Sequence, residues 1–588
     1  MSASTLWFGP PQRPLFARLY LPEGGVARGA VVICPPFGFE SWRAGRAFRA
    51  LSGQLAEKGL AVLHFDYEGT GDSSGTDDGP ERVSAWQRSI TEAVATMRQS
   101  GAGHVSLVGL RLGATLAASV LTSCRPDALV LWDACESGRS YLREQIVLRA
   151  VYEQSLLGPA VPALPSASAP KGATAVETIG TTYGPETARD ISELRIGAIP
   201  AALDGQVLAL FRPGSPPRKA LLEHLSEVHA ELAEAVDQER VLDINYPDLC
   251  VPHGTLATIV AWLSQRAGNE SSTIHNVGHQ SAVIPNADDG AVLEEIKQLG
   301  PNELFGVLAR PIGQSWGPTI IVVNAGHIDH CGPGRLWVEL ARSWAAAGLA
   351  VLRVDISGRG DSPARPGQDL DTIYSPEALD DIADIVEAVS PGSPSGTVLM
   401  GMCSGGYQAI FAGADLATGG VVAVNPAFEG RLRGPQAVQS TPGLPSASPA
   451  ATSTKRRAKA LARRALSNAD DLFAGVTRRL PAGVRWWWLK RLNHGPRPGE
   501  LLERIARPGA DVFVICGVVE GKVVRGGEDS RLRRLEKAGD FHMRVLPGID
   551  HSLFTQAARD QVRPVLTDHV IACYLLPRTR AGSGAAAK

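Results

Sequence analysis

The sequence predicts an α/β protein made of two tandem copies of one unit, each a mostly parallel sheet flanked by helices. Three observations carry this. Leu60-Ala61-Val62-Leu63-His64-Phe65-Asp66-Tyr67-Glu68-Gly69-Thr70-Gly71-Asp72-Ser73 recurs as Leu349-Ala350-Val351-Leu352-Arg353-Val354-Asp355-Ile356-Ser357-Gly358-Arg359-Gly360-Asp361-Ser362. Val108-Gly109-Leu110-Arg111-Leu112-Gly113 recurs as Met400-Gly401-Met402-Cys403-Ser404-Gly405. The offsets, 289 positions for Asp66 and Asp355 and 292 for Arg111 and Cys403, are nearly equal. A repeat this long is a duplicated domain rather than a solenoid unit. Third, short apolar runs alternate with helix-patterned stretches in both copies, the pattern of βαβ units.

In chain order, the apolar runs are 30–34, 61–65, 105–108 and 128–132, then 319–324, 350–354, 397–400 and 420–425. Their continuity, without polar alternation, fits strands covered by helices on both faces. Between them lie amphipathic stretches such as 48–59 and 336–348, each closing on a glycine suited to a helix C-terminus. After the fourth run of each copy the chain turns rich in Pro, Ser and Ala. Leu164-Pro165-Ser166-Ala167-Ser168 is matched by Leu444-Pro445-Ser446-Ala447-Ser448. These stretches predict lid-like insertions above the strand ends, about 135–200 and 426–505. The units are then 1–268 and 291–578, joined by 269–290 and followed by a disordered tail, 579–588.

Bulk composition narrows the function classes. Of 588 residues 44% are hydrophobic and 20% charged, with a net charge of −2, which describes a folded globular chain without a field for nucleic acid. The longest apolar runs have strand length, not membrane-span length, and the N-terminus lacks a basic segment followed by an apolar one. The 8 cysteines show no CxxC spacing and read as reduced thiols of a cytoplasmic protein.

The segment Gly401-Met402-Cys403-Ser404-Gly405 follows a strand and precedes a helix-like stretch. That is the setting of a nucleophile elbow, whose tight turn requires small residues two before and two after the reacting side chain. Cys403 meets the requirement through Gly401 and Gly405, whereas Ser404 would place Met402 at the first small position. Cys403 is therefore the candidate nucleophile, against the plainer reading of a buried cysteine beside a glycine turn. Arg111, at the same place in the first copy, is permanently protonated and cannot attack. It would serve either a bound carboxylate or phosphate, or a structural ion pair.

On these motifs both copies resemble the α/β-hydrolase superfamily, near its serine aminopeptidase and monoacylglycerol lipase-like branch. The first copy's Gly-Leu-Arg-Leu-Gly has a lesser resemblance to hydrolases associated with exosortase and exopolysaccharide systems. A cysteine at the elbow departs from the usual serine and is similar to the dienelactone hydrolase arrangement. The resemblance implies a chain order of nucleophile, acid and histidine. Asp550-His551-Ser552 resembles the family's histidine loop, which makes His551 the base; Asp550 would shape the loop. The acid belongs just after the strand 511–517, where Glu520 fits best and Asp529 is the fallback. Two backbone donors are needed for the oxyanion. They are assigned to the amides of Ser404 and of His327, in the loop after 319–324. That loop, with His327, Asp329, His330 and Cys331, is dense in metal-ligand types, but no matching cluster follows elsewhere, so neither metal nor cofactor is expected. In the first copy Leu249 stands where His551 would, with Asp248 on Asp550, and His253 is displaced. Asp66, Asp72, Asp355 and Asp361, present in both copies, lie in a loop that supports the fold and are read as structural.

The second insertion carries Lys455-Arg456-Arg457-Ala458-Lys459, Arg478-Arg479 and Trp486-Trp487-Trp488. It is read as a basic lid, either a solvated helix face or a contact for an anionic membrane surface or acidic carrier. The expected function is an acyl hydrolase that cleaves an ester or thioester, carrier-bound or free, through Cys403. The alternatives are an acyltransferase using the same site, or a noncatalytic scaffold in polysaccharide or secondary-metabolite assembly. A degenerate first copy would pack as a companion, position a partner or cover the active one.

Overall fold

A computed structural model describes residues 2–157, 175–215, 217–244, 248–268, 270–286, 290–375, 377–428, 498–506, 509–525 and 529–575. The basic lid and the tail 579–588 lie outside the described residues, as do 158–174 and 429–497 of the two insertions.

The first sheet comprises β1 Ser2–Phe8, β2 Leu15–Leu21, β3 Ala30–Cys34, β4 Ala61–Phe65, β5 Val105–Leu110, β6 Ala128–Trp132, β7 Val207–Phe211 and β8 Glu231–Glu234. Their spatial order is β1-β2-β4-β3-β5-β6-β7-β8, antiparallel at β1, β2 and β4 and parallel from there on. The second sheet comprises β9 Ser281–Asn286, β10 Gly290–Leu299, β11 Leu304–Pro311, β12 Thr319–Val323, β13 Ala350–Val354, β14 Thr397–Met402, β15 Gly420–Val424, β16 Asp511–Cys516 and β17 His542–Val545. Leaving aside the edge strand β9, its order β10-β11-β13-β12-β14-β15-β16-β17 is that of the first sheet. The segment read as a junction, 269–290, contains strand residues among those described. It holds Ser272–Thr273, paired to Val26–Ala27 of the first half, and the edge strand β9.

Alternate residues of the central strands feed cores on opposite faces, as a period of two requires. Val32 and Cys34 face one core of the first half, Val31 and Ile33 the other. Ile320 and Val322 are divided likewise from Ile321 and Val323 in the second. The covering helices include α1 Phe39–Glu57 and α2 Arg82–Gln99 in the first half and α3 Leu336–Ala346 in the second. The two halves share core. Trp7 of β1 and Phe16 of β2 join the apolar cluster of the second sheet, with Phe16 set edge-on to Phe305 at 6.1 Å.

The structural role of the paired aspartates extends from their own loops to the contact between the halves. Asp66 and Asp355 do receive the amides of Asp72 and Asp361, six residues on. Asp72, however, crosses to the second half, where it holds the Arg353 guanidinium of β13 and His330 Nε2 at 2.6 Å. Asp361 crosses in the other direction, to Arg18 Nε of β2 at 2.7 Å. Arg335 of the second half donates to the carbonyls of Gly71, Ser73 and Gly75. Hydrophobic packing and this ion network together join the halves.

Candidate active site

The elbow forms where β14 passes into helix α4, Cys403–Leu416. Cys403 sits at φ 53°, in the left-handed region that a side chain rarely adopts, and Arg111 sits at φ 56° in the first half. The glycines make the turn possible. A Cβ on Gly401 would lie 2.4 Å from the Gly405 carbonyl carbon, and one on Gly405 would lie 2.5 Å from the Asn324 oxygen. The turn lifts Cys403 out of the backbone at the end of the sheet where β12 and β14 lie side by side.

Three residues assigned from sequence come together there. His551 Nε2 lies 3.1 Å from Cys403 Sγ, and His551 Nδ1 lies 3.0 Å from Glu520 Oε1. Glu520 is carried by helix α5, Val518–Arg525, directly after β16. The fallback acid, Asp529, opens the next helix, Asp529–Ala538, and His551 takes its carboxylate from Glu520. Asp550 turns inward on its loop, accepting the amides of Phe554 at 2.8 Å and Thr555 at 3.1 Å.

Electrostatics polarise this group. Burial alone would push the Cys403 thiol up, but the His551 imidazole, the Ser404 amide and the Tyr374 hydroxyl outweigh it and bring the thiol below its ordinary value. Burial would lower His551, yet Cys403 and Glu520 hold it well above its ordinary value. Glu520 is drawn down by its bond to His551 despite desolvation. The favoured state is a thiolate beside an imidazolium, with the sulfur at the N-terminus of α4.

The loop after β12 packs between the elbow and the first half. Its contact with the elbow is made by Gly326, whose amide donates to Ser404 Oγ at 2.7 Å. His327 faces the first half instead, its carbonyl accepting from Trp42 Nε1 at 2.9 Å and its Nδ1 lying 2.7 Å from Arg359. Burial, with the charges of Arg359, Arg46 and Arg43, lowers His327 to about 3, so its ring is neutral. The ring of His330 has both nitrogens on carboxylates, those of Asp72 and Asp355, and is held charged between them.

Several residues of the site escaped the sequence reading. Tyr374 reaches the Cys403 sulfur from the segment before helix 377–389. Asn425, at the end of β15, donates to the carbonyls of Asp550 and His551 and accepts from the Gly517 amide, tying the histidine loop to the sheet. The first half grips the same loop. Gly180 donates to the Phe554 carbonyl at 3.0 Å, and Glu177 accepts the Gln556 amide at 2.8 Å.

At the matching place in the first half, Arg111 is 3% exposed and surrounded by carboxylates of its own chain. Glu40 lies 3.1 Å away, Asp133 lies 3.5 Å away, and Glu144 completes the set. Of the two readings of Arg111, the structure shows the ion pair. Leu249, in place of a histidine, is buried at 7%.

The strand order and the elbow define an α/β-hydrolase. Residues 320–564 match the alpha/beta hydrolase family model, and this part of the chain belongs to that superfamily. No curated protein matches the sequence. Similar solved structures include dienelactone hydrolase from Anabaena variabilis, 13% identical over 50% of this chain and 99% of that one, with a TM-score of 0.29. Est1E from Butyrivibrio proteoclasticus, with ferulic acid bound, is 13% identical over 44% and 98%, at 0.32. Proline iminopeptidase from Mycobacterium smegmatis is 15% identical over 45% and 99%, at 0.32. Among the described residues no helix is long and apolar enough to cross a membrane.

Proposed function

We propose that the second half of the chain is a cysteine-dependent acyl hydrolase acting on esters or thioesters. The observation that carries this reading is the contact of His551 with Cys403 on one nitrogen and with Glu520 on the other. The Cys403 thiolate attacks the carbonyl carbon, and the carbonyl electron pair moves to oxygen. The amides of Ser404 and of His327, in the loop after β12, receive that oxyanion, while the neighbouring Gly326 amide is engaged by Ser404 Oγ. Collapse of the adduct expels the alcohol or thiol, which takes its proton from the His551 imidazolium. Neutral His551 then removes a proton from water, whose attack on the acyl-cysteine frees the acid and restores the thiolate. The first half is a degenerate copy whose elbow is sealed by the Arg111 ion pairs.

Incubation with a short-chain acyl thioester, followed by intact-mass measurement, tests the proposal. One acyl adduct is expected on the native chain and none on Cys403→Ala; undiminished turnover by Cys403→Ala would remove the assignment. Glu520→Gln keeps the size of the side chain but not the charge that holds the imidazolium. It is expected to lower kcat by about two to four orders of magnitude with a smaller effect on KM, read in steady-state kinetics.

The first half contributes to this site through Trp42. Trp42→Phe removes the indole N–H from the His327 carbonyl and preserves most of the ring packing. A net hydrogen bond of about 1 kcal/mol is then lost from the loop beside Gly326, and kcat is expected to fall about fivefold while the melting temperature changes little. An unchanged kcat would show that the loop holds its position without Trp42.

A further inference from the structure

Helix α1 of the first half reaches two loops beside Cys403. Trp42 and Arg46, four residues apart, share one face of that helix. Trp42 Nε1 donates to the His327 carbonyl in the loop after β12, at 2.9 Å. Arg46 meets the other loop, which runs from β13 to helix 377–389 and carries Tyr374. Its Nη2 donates to the Leu370 carbonyl at 2.9 Å, and its Nη1 lies 2.7 Å from Asp371 Oδ1. The same Nη1 donates to the Leu249 carbonyl of the first half at 3.0 Å. One planar fork thus spans both halves, which the point charge of a lysine does not reproduce.

Residues 355–375 contain neither strand nor helix, so side-chain donors hold the carbonyls of this loop. Arg359 donates to the Leu370 carbonyl, to that of Thr372 at 2.7 Å, and to His327 Nδ1 at 2.7 Å, tying the two loops together. Gln408 of α4 donates to the Ile373 carbonyl at 3.3 Å. Tyr374 comes next in the chain. Its ring stands edge-on to Tyr407 of α4 at 5.4 Å, and its hydroxyl is hydrogen-bonded to the Cys403 sulfur. Burial and the neighbouring charge of Cys403 hold that hydroxyl well above its ordinary value, so it stays protonated and is the donor. Arg46 is the member of this set that comes from the half without a nucleophile.

We infer that Arg46 is a positioning residue for the active site of the other half: by fixing Leu370 and Asp371 it places the Tyr374 hydroxyl on the Cys403 sulfur, where Tyr374 is a catalytic residue. The inference rests on Cys403 as the nucleophile, but its test needs no turnover. The full chain is alkylated with iodoacetamide across a pH series, and the midpoint for Cys403 is read by peptide mass mapping. Tyr374→Phe removes the donor and keeps the ring. Loss of a charge-assisted hydrogen bond to the thiolate should raise the midpoint by about one pH unit, with the rate above the midpoint unchanged. Arg46→Met keeps the apolar stem and should raise it by about half a pH unit or more. In the double variant the midpoint should equal that of Tyr374→Phe, because Arg46 then has no hydroxyl to place. Arg46→Lys, with the charge but not the fork, should fall between the native chain and Arg46→Met, and it supplies the same reading if Arg46→Met loses its native circular dichroism. An unmoved midpoint in Tyr374→Phe or in the Arg46 variants would overturn the inference. So would an Arg46 effect of the same size in the Tyr374→Phe background, which marks a general loosening between the halves. Failure of the proposed function shows separately, as absence of acyl turnover by the native chain.

Discussion

Cys403→Ala is expected to lower kcat/KM toward an activated acyl ester by about four orders of magnitude or more while leaving the fold intact. The fold tolerates the change because alanine has the same backbone demands at φ 53° and removes one half-buried sulfur. The loss is large because no other group can replace the thiolate. Ser404, next to it, is 1% exposed and its hydroxyl already accepts the Gly326 amide. The charge state gives a second measurement on the native protein. With the thiol below its ordinary value and His551 well above, the two shifts together favour the thiolate–imidazolium pair. An ordinary thiol loses about tenfold in alkylation rate for each pH unit below its pKa of about 8.5. Cys403 should instead lose rate with iodoacetamide less steeply over the same range, followed by peptide mass mapping. His551→Gln should restore the ordinary decline. A tenfold drop per unit in the native chain would mean that His551 does not ionise Cys403.

The legible parts of this structure were those set by local rules. Continuous apolar runs located most central strands to within a residue or two, because a strand buried on both faces tolerates no polar interruption; 30–34, 61–65, 128–132 and 350–354 coincide with β3, β4, β6 and β13. The elbow was legible because its glycines answer a steric demand inside five residues. His551 and Glu520 were found by order along the chain, and they do meet Cys403. What escaped depends on partners far away in sequence. Asp72 and Asp361 occupy equivalent positions, yet one meets Arg353, 281 residues on, and the other meets Arg18, 343 residues back. Within either copy each reads as a turn-forming aspartate, and no local pattern distinguishes it from a residue that joins the halves. Trp42 and Tyr374 escaped for the same reason: each reaches the site from a segment whose own pattern indicates only helix or loop.

Arg353→Met is expected to destabilise the protein by about 3–5 kcal/mol, read as a lower urea midpoint. Arg353 is fully buried on β13, between Asp72 of the first half and Glu294 of β10, with Nη2 to Glu294 at 2.8 Å. Deleting one member of a buried ion group leaves its partners' charge uncompensated, which costs about that amount. Here Arg342 still serves Glu294 and His330 still serves Asp72, so the lower end of the range is expected. The pH dependence follows from the same residues. Burial would raise Asp72, but Arg353 and His330 take it well below the usual carboxylate value. Its contribution is present above about 3.9, the unfolded value, and is lost as pH falls through the folded one. Burial would lower His330, but Asp72 and Asp355 hold it well above 6.5. Its contribution is complete below about 6.5 and declines as pH rises toward the folded value. The urea midpoint should therefore peak between about pH 4 and 6.5 and fall on both sides, and His330→Gln should flatten the alkaline limb. His330 lies in the loop that follows Gly326, and Arg335 of the same region is bound to the first half. A weakened interface should then reduce turnover at urea concentrations below the unfolding transition in Arg353→Met. Coincident loss of activity and of structure in that variant would mean that the halves separate only when the whole chain unfolds.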